Sequence, residues 1–193
     1  MPFHVAIDCR RIRHFGVGTY IRNLTRSLAS LDGDNRYTLI AHANDLRVFE
    51  GFPGNFQPHA YETPDTAWRE HLAFPIVLKK TGARIYHIPL DQVPALMVRP
   101  YVVTVHDLSA VLYEGKPGWR AQLARHRVRR ALARAARVIA VSQATRRDVV
   151  ELLGIDPRKI RQIYNAPDPR FLAQEVIGAD ARAAGPDAAR LYR

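Results

Sequence analysis

Tyr101-Val102-Val103-Thr104-Val105 is an almost uninterrupted apolar, β-branched run of strand length. A strand with one face in water alternates polar and apolar residues; this one does not, so it requires cover on both faces. A parallel sheet sandwiched between helices meets that requirement, and the rest of the chain alternates in the way that builds one. His4–Asp8 reads as a strand and residues 19–31 as a helix, with Tyr20, Ile21, Leu24, Leu28 and Leu31 on one face. Asp32-Gly33-Asp34-Asn35 is a stop and turn, and residues 37–41 form the next strand. A loop at 52–55 leads to a short strand at 57–61, and the helix over 68–80 carries Pro75 as a kink or restart. Gly82 closes that helix ahead of a strand at 84–88. Beyond Val105 come an arginine-rich helix over 119–137, a strand at 138–141, a helix over 143–153 and a last strand at 159–164. Ser142 is placed to cap the helix at 143, and Gly154 to end it. The expected fold class is α/β: a three-layer sandwich with a mainly parallel sheet, whose ligands bind beyond the carboxyl ends of the strands.

The first strand-to-helix connection passes through Gly16-Val17-Gly18. A glycine turn feeding a helix start offers backbone N–H groups to an anion, with the positive end of the helix dipole behind them. It equally suits an ordinary turn in which glycine permits close packing, and both readings stand at this point. A dinucleotide fingerprint is not present. Ile21 occupies the position of its third glycine, and the segment from Cys9 to Phe15, with Arg10, Arg11 and Arg13, separates the strand from the turn. Arg10 and Arg11 can approach a phosphate or serve as ordinary surface arginines. Asp8 is placed to tie down the glycine loop.

At 193 residues and 47 % hydrophobic content, the chain can fill a real core. No apolar run approaches the roughly 20 residues that cross a bilayer, and Met1-Pro2-Phe3-His4 does not open a signal peptide. The single cysteine, Cys9, excludes an internal disulfide and a cysteine zinc cluster and is expected to pack beside the first strand. A cytoplasmic location is the default expectation. The net charge of +11 implies an anionic partner: nucleotide phosphates, an acidic membrane face or nucleic acid. Much of it lies on the helix after Trp119, where Ala124, Val128, Ala131, Leu132 and Ala135 form a narrower apolar stripe. This helix reads first as packed on the sheet with a solvated arginine face, because its apolar positions lack large side chains to insert into lipid. The alternative is a peripheral contact at the inner face of the plasma membrane. A nucleic-acid binder rests on charge alone and is set aside. No Gly-x-Ser-x-Gly, His-Glu-x-x-His or P-loop pattern is present, so neither a metal nor a serine nucleophile is expected.

Three more segments fall on ligand-facing loops of this architecture: Thr104-Val105-His106-Asp107-Leu108-Ser109, Val141-Ser142-Gln143-Ala144-Thr145-Arg146-Arg147-Asp148, and the run from Lys159 through Ile163-Tyr164-Asn165-Ala166-Pro167-Asp168. Taken with Ile7-Asp8-Cys9-Arg10, the glycine turn and Gly82-Ala83-Arg84-Ile85-Tyr86-His87-Ile88-Pro89, this ordered set resembles the N-terminal half of family 4 glycosyltransferases. These are retaining enzymes of the GT-B fold, in which two Rossmann-like domains face each other. The resemblance runs from Val5 to about Phe171. It implies an acceptor-side Rossmann-like domain over 1–171 and, over 172–193, a linker toward an absent C-terminal domain that binds the donor.

It further implies transfer of a hexose from a nucleotide-diphosphate sugar to a hydroxyl acceptor, a glycan or lipid-linked glycan. The donor is a substrate, and no separate cofactor or metal is expected. His106 is the candidate catalytic residue. The candidate substrate-binding residues are Gly16, Val17, Gly18, Arg10, Asp107, His87 and Asn165. The structural alternatives are concrete. His106 can bond a neighbouring carbonyl at the strand end, and Asp107 can turn the backbone after it. Ser142 and Thr145 suit a helix start, and Tyr86 and His87 can belong to the core. After Asn165, Ala166 and Pro167 replace the glycine and aliphatic residue usual in relatives. The expected enzyme needs both halves, so this chain alone is expected to be inactive. A non-catalytic glycan- or membrane-binding module of the same fold is the alternative.

Overall fold

The computed structural model describes residues 2–62, 67–109 and 118–167. The expected boundary near 171 and the linker over 172–193 lie outside them. Seven strands form one sheet: β1 (His4–Asp8), β2 (Arg36–His42), β3 (Phe56–Tyr61), β4 (Ile85–Ile88), β5 (Tyr101–Val105), β6 (Arg137–Ala140) and β7 (Ile160–Gln162). Their order is β3-β2-β1-β4-β5-β6-β7, and every pairing is parallel. The helices are α1 (Val17–Leu31), α2 (Ala67–Lys80), α3 (Trp119–Arg134) and α4 (Gln143–Glu151).

The pleat explains the layers. Neighbouring residues of one strand point to opposite faces, and here they enter different cores. Ala6 and Ile40 pack with Phe74 and Leu78 of α2, Leu132 of α3 and Val149 of α4. Ile7, Leu39 and Ala41 pack with Ile21 of α1. Each of the larger side chains among these, from Val149 to Phe74, stabilises the fold by about 1.5–3 kcal/mol when fully buried. The expected α/β sandwich is therefore the observed one, with helices on both faces.

Several element limits differ from the sequence reading, each for a local reason. Helix α1 starts at Val17 because Gly16, at φ 73°, turns the loop directly into it. Helix α2 runs through Pro75 without a restart. Residues Ala43–Phe49 form a 3₁₀ helix that no periodicity announced; Asp45 and Phe49 are buried there by tertiary packing. Helix α3 meets the core only from Val128 onward, through Val128 and Leu132, whereas residues 122–127, Ala124 among them, are exposed. Among the described residues no helix is long and apolar enough to cross a membrane.

The chain order reverses beside β1: β2 and β3 lie to one side and β4 to β7 to the other. At such a switch point, connections leave in opposite directions and open a crevice at the carboxyl edge. Asp8, Ile88, Val105 and Ala140 end their strands along that edge.

Candidate active site at the carboxyl edge of the sheet

The loop between β1 and α1 is tied down by its own arginines. Asp8 accepts from the Arg10 backbone N–H at 3.1 Å and from Arg10 Nε and Nη2, both at 2.9 Å. The Arg10 side chain is 6 % exposed, and its guanidinium lies 3.5 Å from the Phe74 ring centroid. Arg10 is thus engaged inside the domain, where it braces the loop on α2; the expectation that it approaches a phosphate is revised accordingly. Arg13 pairs with the buried Asp45 and donates to the Asn44 carbonyl at 3.1 Å. Arg22 of α1 donates to the Ile12 carbonyl and, at 2.9 Å, to the Thr19 hydroxyl. Cys9 is fully buried beside β1 as expected.

The geometry of the glycine turn favours the close-packing reading. A Cβ at Gly18 would stand 2.3 Å from the Ile12 carbonyl oxygen, so glycine there serves close packing. The Val17 and Gly18 N–H groups donate to the Phe15 and His14 carbonyls at 2.9 and 2.8 Å. They close the turn and are not presented to a ligand. Gly16 is exposed at the start of α1, next to Phe15, whose side chain is fully exposed.

The other loops converge on a polar cluster. The Thr104 hydroxyl, fully buried on β5, meets the Tyr20 hydroxyl at 3.1 Å and His87 Nε2 at 2.8 Å. The Tyr20 ring stands edge-on to the His106 ring with centroids 4.9 Å apart. His106 is half-buried; its Nε2 lies 3.2 Å from the Pro89 carbonyl, and its own carbonyl accepts from the Thr145 hydroxyl at 3.0 Å. Tyr20 of α1 and the Pro89 carbonyl just past β4 therefore hold the imidazole at the carboxyl edge, while Thr145 of α4 fixes its backbone. The strand-end carbonyl bond expected of a structural histidine is present, and it fixes the ring in place while leaving part of it open.

Burial pushes the His106 pKa below 6.5, partly opposed by the Pro89 carbonyl and by Asp107. His87 is lowered to about 4, chiefly by desolvation, with Asp8 opposing and His106 reinforcing the shift. Both rings are neutral near pH 7, so each nitrogen pair offers one donor and one acceptor. Asp107 is exposed and accepts from the Ser109 backbone N–H at 2.9 Å and from its hydroxyl. That is the turn-forming role, and it lowers the carboxyl pKa. Ser142 caps α4 by accepting from the Thr145 N–H at 3.0 Å. Asn165 is exposed just past β7, and the following carbonyls of Ala166 and Pro167 lie 3.5 Å from Asn23 Nδ2 on α1.

Sequence reasoning missed Tyr20, Thr104 and Asp91. Tyr20 reads as part of a helix face and Thr104 as part of the strand and its ligand-facing run, neither as a site residue; their union depends on β5 lying beside β4 and across from α1. Asp91, half-buried after β4, has its carboxyl pushed up by burial and by the nearby Asp107 charge.

Comparisons with known proteins agree with this architecture. The family profile described as Glycosyltransferase Family 4 matches residues 16–171. A crystal structure of a glycosyltransferase from Rickettsia africae ESF-5 superposes with a TM-score of 0.50 at 11 % identity, covering 96 % of this chain and 51 % of that one. The present chain thus spans about half the length of that protein. A sucrose-phosphate synthase structure from Thermosynechococcus elongatus superposes with a TM-score of 0.54 at 15 % identity, covering 90 % of this chain and 94 % of that one. At these identities the likeness is one of fold. No curated protein matches the chain.

Proposed function

The chain belongs to glycosyltransferase family 4, and we propose that it forms the acceptor-side half of an enzyme that moves a hexose from a nucleotide-diphosphate sugar to a hydroxyl acceptor, with retention. The acceptor class is a glycan or lipid-linked glycan. The observation that carries the reading is one part-open imidazole, His106, at the carboxyl edge beside the switch point, its ring held between the Tyr20 ring and the Pro89 carbonyl and its backbone carbonyl bonded by Thr145.

In the proposed reaction the bond from the anomeric carbon to the diphosphate breaks, and a bond to the acceptor oxygen forms on the same face. The acceptor proton passes to the departing phosphate, so no protein base is required. His106, held neutral by burial, hydrogen-bonds a hydroxyl of the transferred sugar and orients it as positive charge builds at the anomeric carbon. The exposed turn at Phe15 and Gly16 offers an aromatic face to the acceptor. His87 supports the cluster from behind, and Asn165 lines the path toward a partner domain. The donor grip belongs to a C-terminal domain, so the 193-residue chain alone gives no turnover. A cytoplasmic location suits the single buried thiol of Cys9.

The test is titration of the full-length enzyme with UDP- and GDP-sugars, followed by NMR assignment of the product's anomeric configuration. Retained configuration and one preferred nucleotide are expected; inversion, or donor hydrolysis with no acceptor preference, rejects the reading. In the same enzyme His106→Ala should reduce kcat about a hundredfold with an unchanged unfolding midpoint. Unchanged turnover removes His106 from the site. Transfer catalysed by the 193-residue chain alone would show that no second domain is needed.

A further inference from the structure

The exposed first half of α3 borders a groove away from the Thr104 cluster. A cavity of about 390 Å³ lies between α3, residues 93–97 of the β4–β5 connection and His71 of α2. Leu96, Met97 and Leu123 give it an apolar lining, and Arg127, Arg130 and Arg134 give it a cationic one. Among the described residues no carboxylate lines it and none of these arginines has an ion-pair partner. Leu96 and Leu123 are 61 % and 40 % exposed, and Trp119, on the first turn of α3, is 70 % exposed. The α2 helix also exposes Leu72 and Ile76.

The sequence reading held α3 back from lipid because its own apolar stripe is built of small residues. In the folded chain the neighbouring connection supplies Leu96 and Met97, which the helix lacks. Unpaired guanidiniums beside exposed aliphatic side chains suit an anionic amphiphile: phosphate satisfies the fork of donors, and an alkyl chain covers the slot. The cavity is at the small end of ligand pockets and does not offer the long row of anchors that an amphipathic helix needs.

We propose that this groove docks the protein on an anionic phospholipid bilayer, with Arg127, Arg130 and Arg134 at lipid phosphates and Leu96 and Leu123 among the upper acyl chains. Helix α3 connects the carboxyl end of β5 to the amino end of β6. Its first turn therefore lies toward the edge that holds His106, and its arginine-bearing second half lies toward the opposite edge. The inference rests on the groove alone and does not depend on glycosyl transfer.

The test is co-sedimentation of the 193-residue chain with phosphatidylcholine vesicles, with or without roughly 30 mol % phosphatidylglycerol. Binding to the anionic vesicles should be tighter by at least about tenfold, since a basic residue near such a surface contributes about fivefold. The double variant Arg127→Glu, Arg130→Glu should lose about tenfold or more of that binding. Leu96→Ser with Leu123→Ser leaves the charge unchanged and should make the remaining binding collapse as salt rises. The charge-matched pair Arg147→Glu, Arg161→Glu, both exposed outside the groove, should lose far less.

Equal binding to neutral and anionic vesicles, or equal losses from the two charge-reversed pairs, overturns the proposal. So does an absence of vesicle binding accompanied by saturable binding of an acidic peptide, or by dimerisation that the Leu96 and Leu123 changes abolish. Thermal unfolding checks each variant; Arg127→Gln, Arg130→Gln replaces the charge reversal if that variant does not fold.

Discussion

The Thr104 hydroxyl serves two aromatic partners, Tyr20 and His87, from a fully buried position. Thr104→Val keeps the shape but leaves both without that bond, and should cost about 1–3 kcal/mol in urea unfolding. In the proposed enzyme it should lower kcat several-fold with little change in KM, the outcome expected if Tyr20 acts through its edge contact with His106. Thr104→Ser should restore most of kcat. A rise in KM alone would make Thr104 part of a binding surface. Arg10 gives the complementary lesson: an arginine beside a glycine turn looks ready for phosphate, and burial with Asp8 and Phe74 gives it another task.

At the scale of elements, the start of α1 depends on two glycines for different reasons. Gly18→Ala forces a Cβ against the Ile12 carbonyl and should cost about 2–3 kcal/mol. Gly16→Ala meets no neighbouring atom and should cost only about 1–2 kcal/mol, the penalty of positive φ. Denaturant melts of the two variants check the ordering; the reverse order would mean that the loop shifts to accept a side chain at Gly18. At α4, Ser142→Ala removes a cap bond and should cost about 1 kcal/mol by the same measurement.

The whole molecule carries several histidines that folding keeps neutral. His4, His87 and His106 all have lowered pKa values, led in each case by desolvation. The unfolded chain therefore binds more protons than the folded one between the ordinary value of 6.5 and the lowered values, about 4 for His87. Stability should be fully present above pH 6.5, fall as pH drops through this window, and level off for these groups below it. His87 alone should account for about 2–3 kcal/mol of that fall. The lowered carboxyls of Asp32, Asp107 and Asp156 add a further loss at lower pH, as each is protonated. Equilibrium unfolding across the pH range reads this directly, and His87→Gln should flatten the slope between pH 4 and 6.5. An unchanged slope would place the neutral histidine elsewhere.

Much of the fold was written in local pattern. The β-branched run of β5, the helical face of α1 and the cap at Ser142 follow from rules that act within a few residues, and the order of the motifs led to the family. The lone histidine after β5 was also legible as a candidate, because its strand could be seen to end there. What sequence did not contain was the company each residue keeps. The Thr104 cluster unites residues 84 apart in the chain, the 3₁₀ helix at 43–49 exists because burial favours it, and the groove on α3 takes its large apolar side chains from another segment. Local propensity sets which elements form. Which polar groups are buried together, and which arginines are left without a partner, is decided by long-range packing, because desolvation and pairing depend on distance in space and not along the chain.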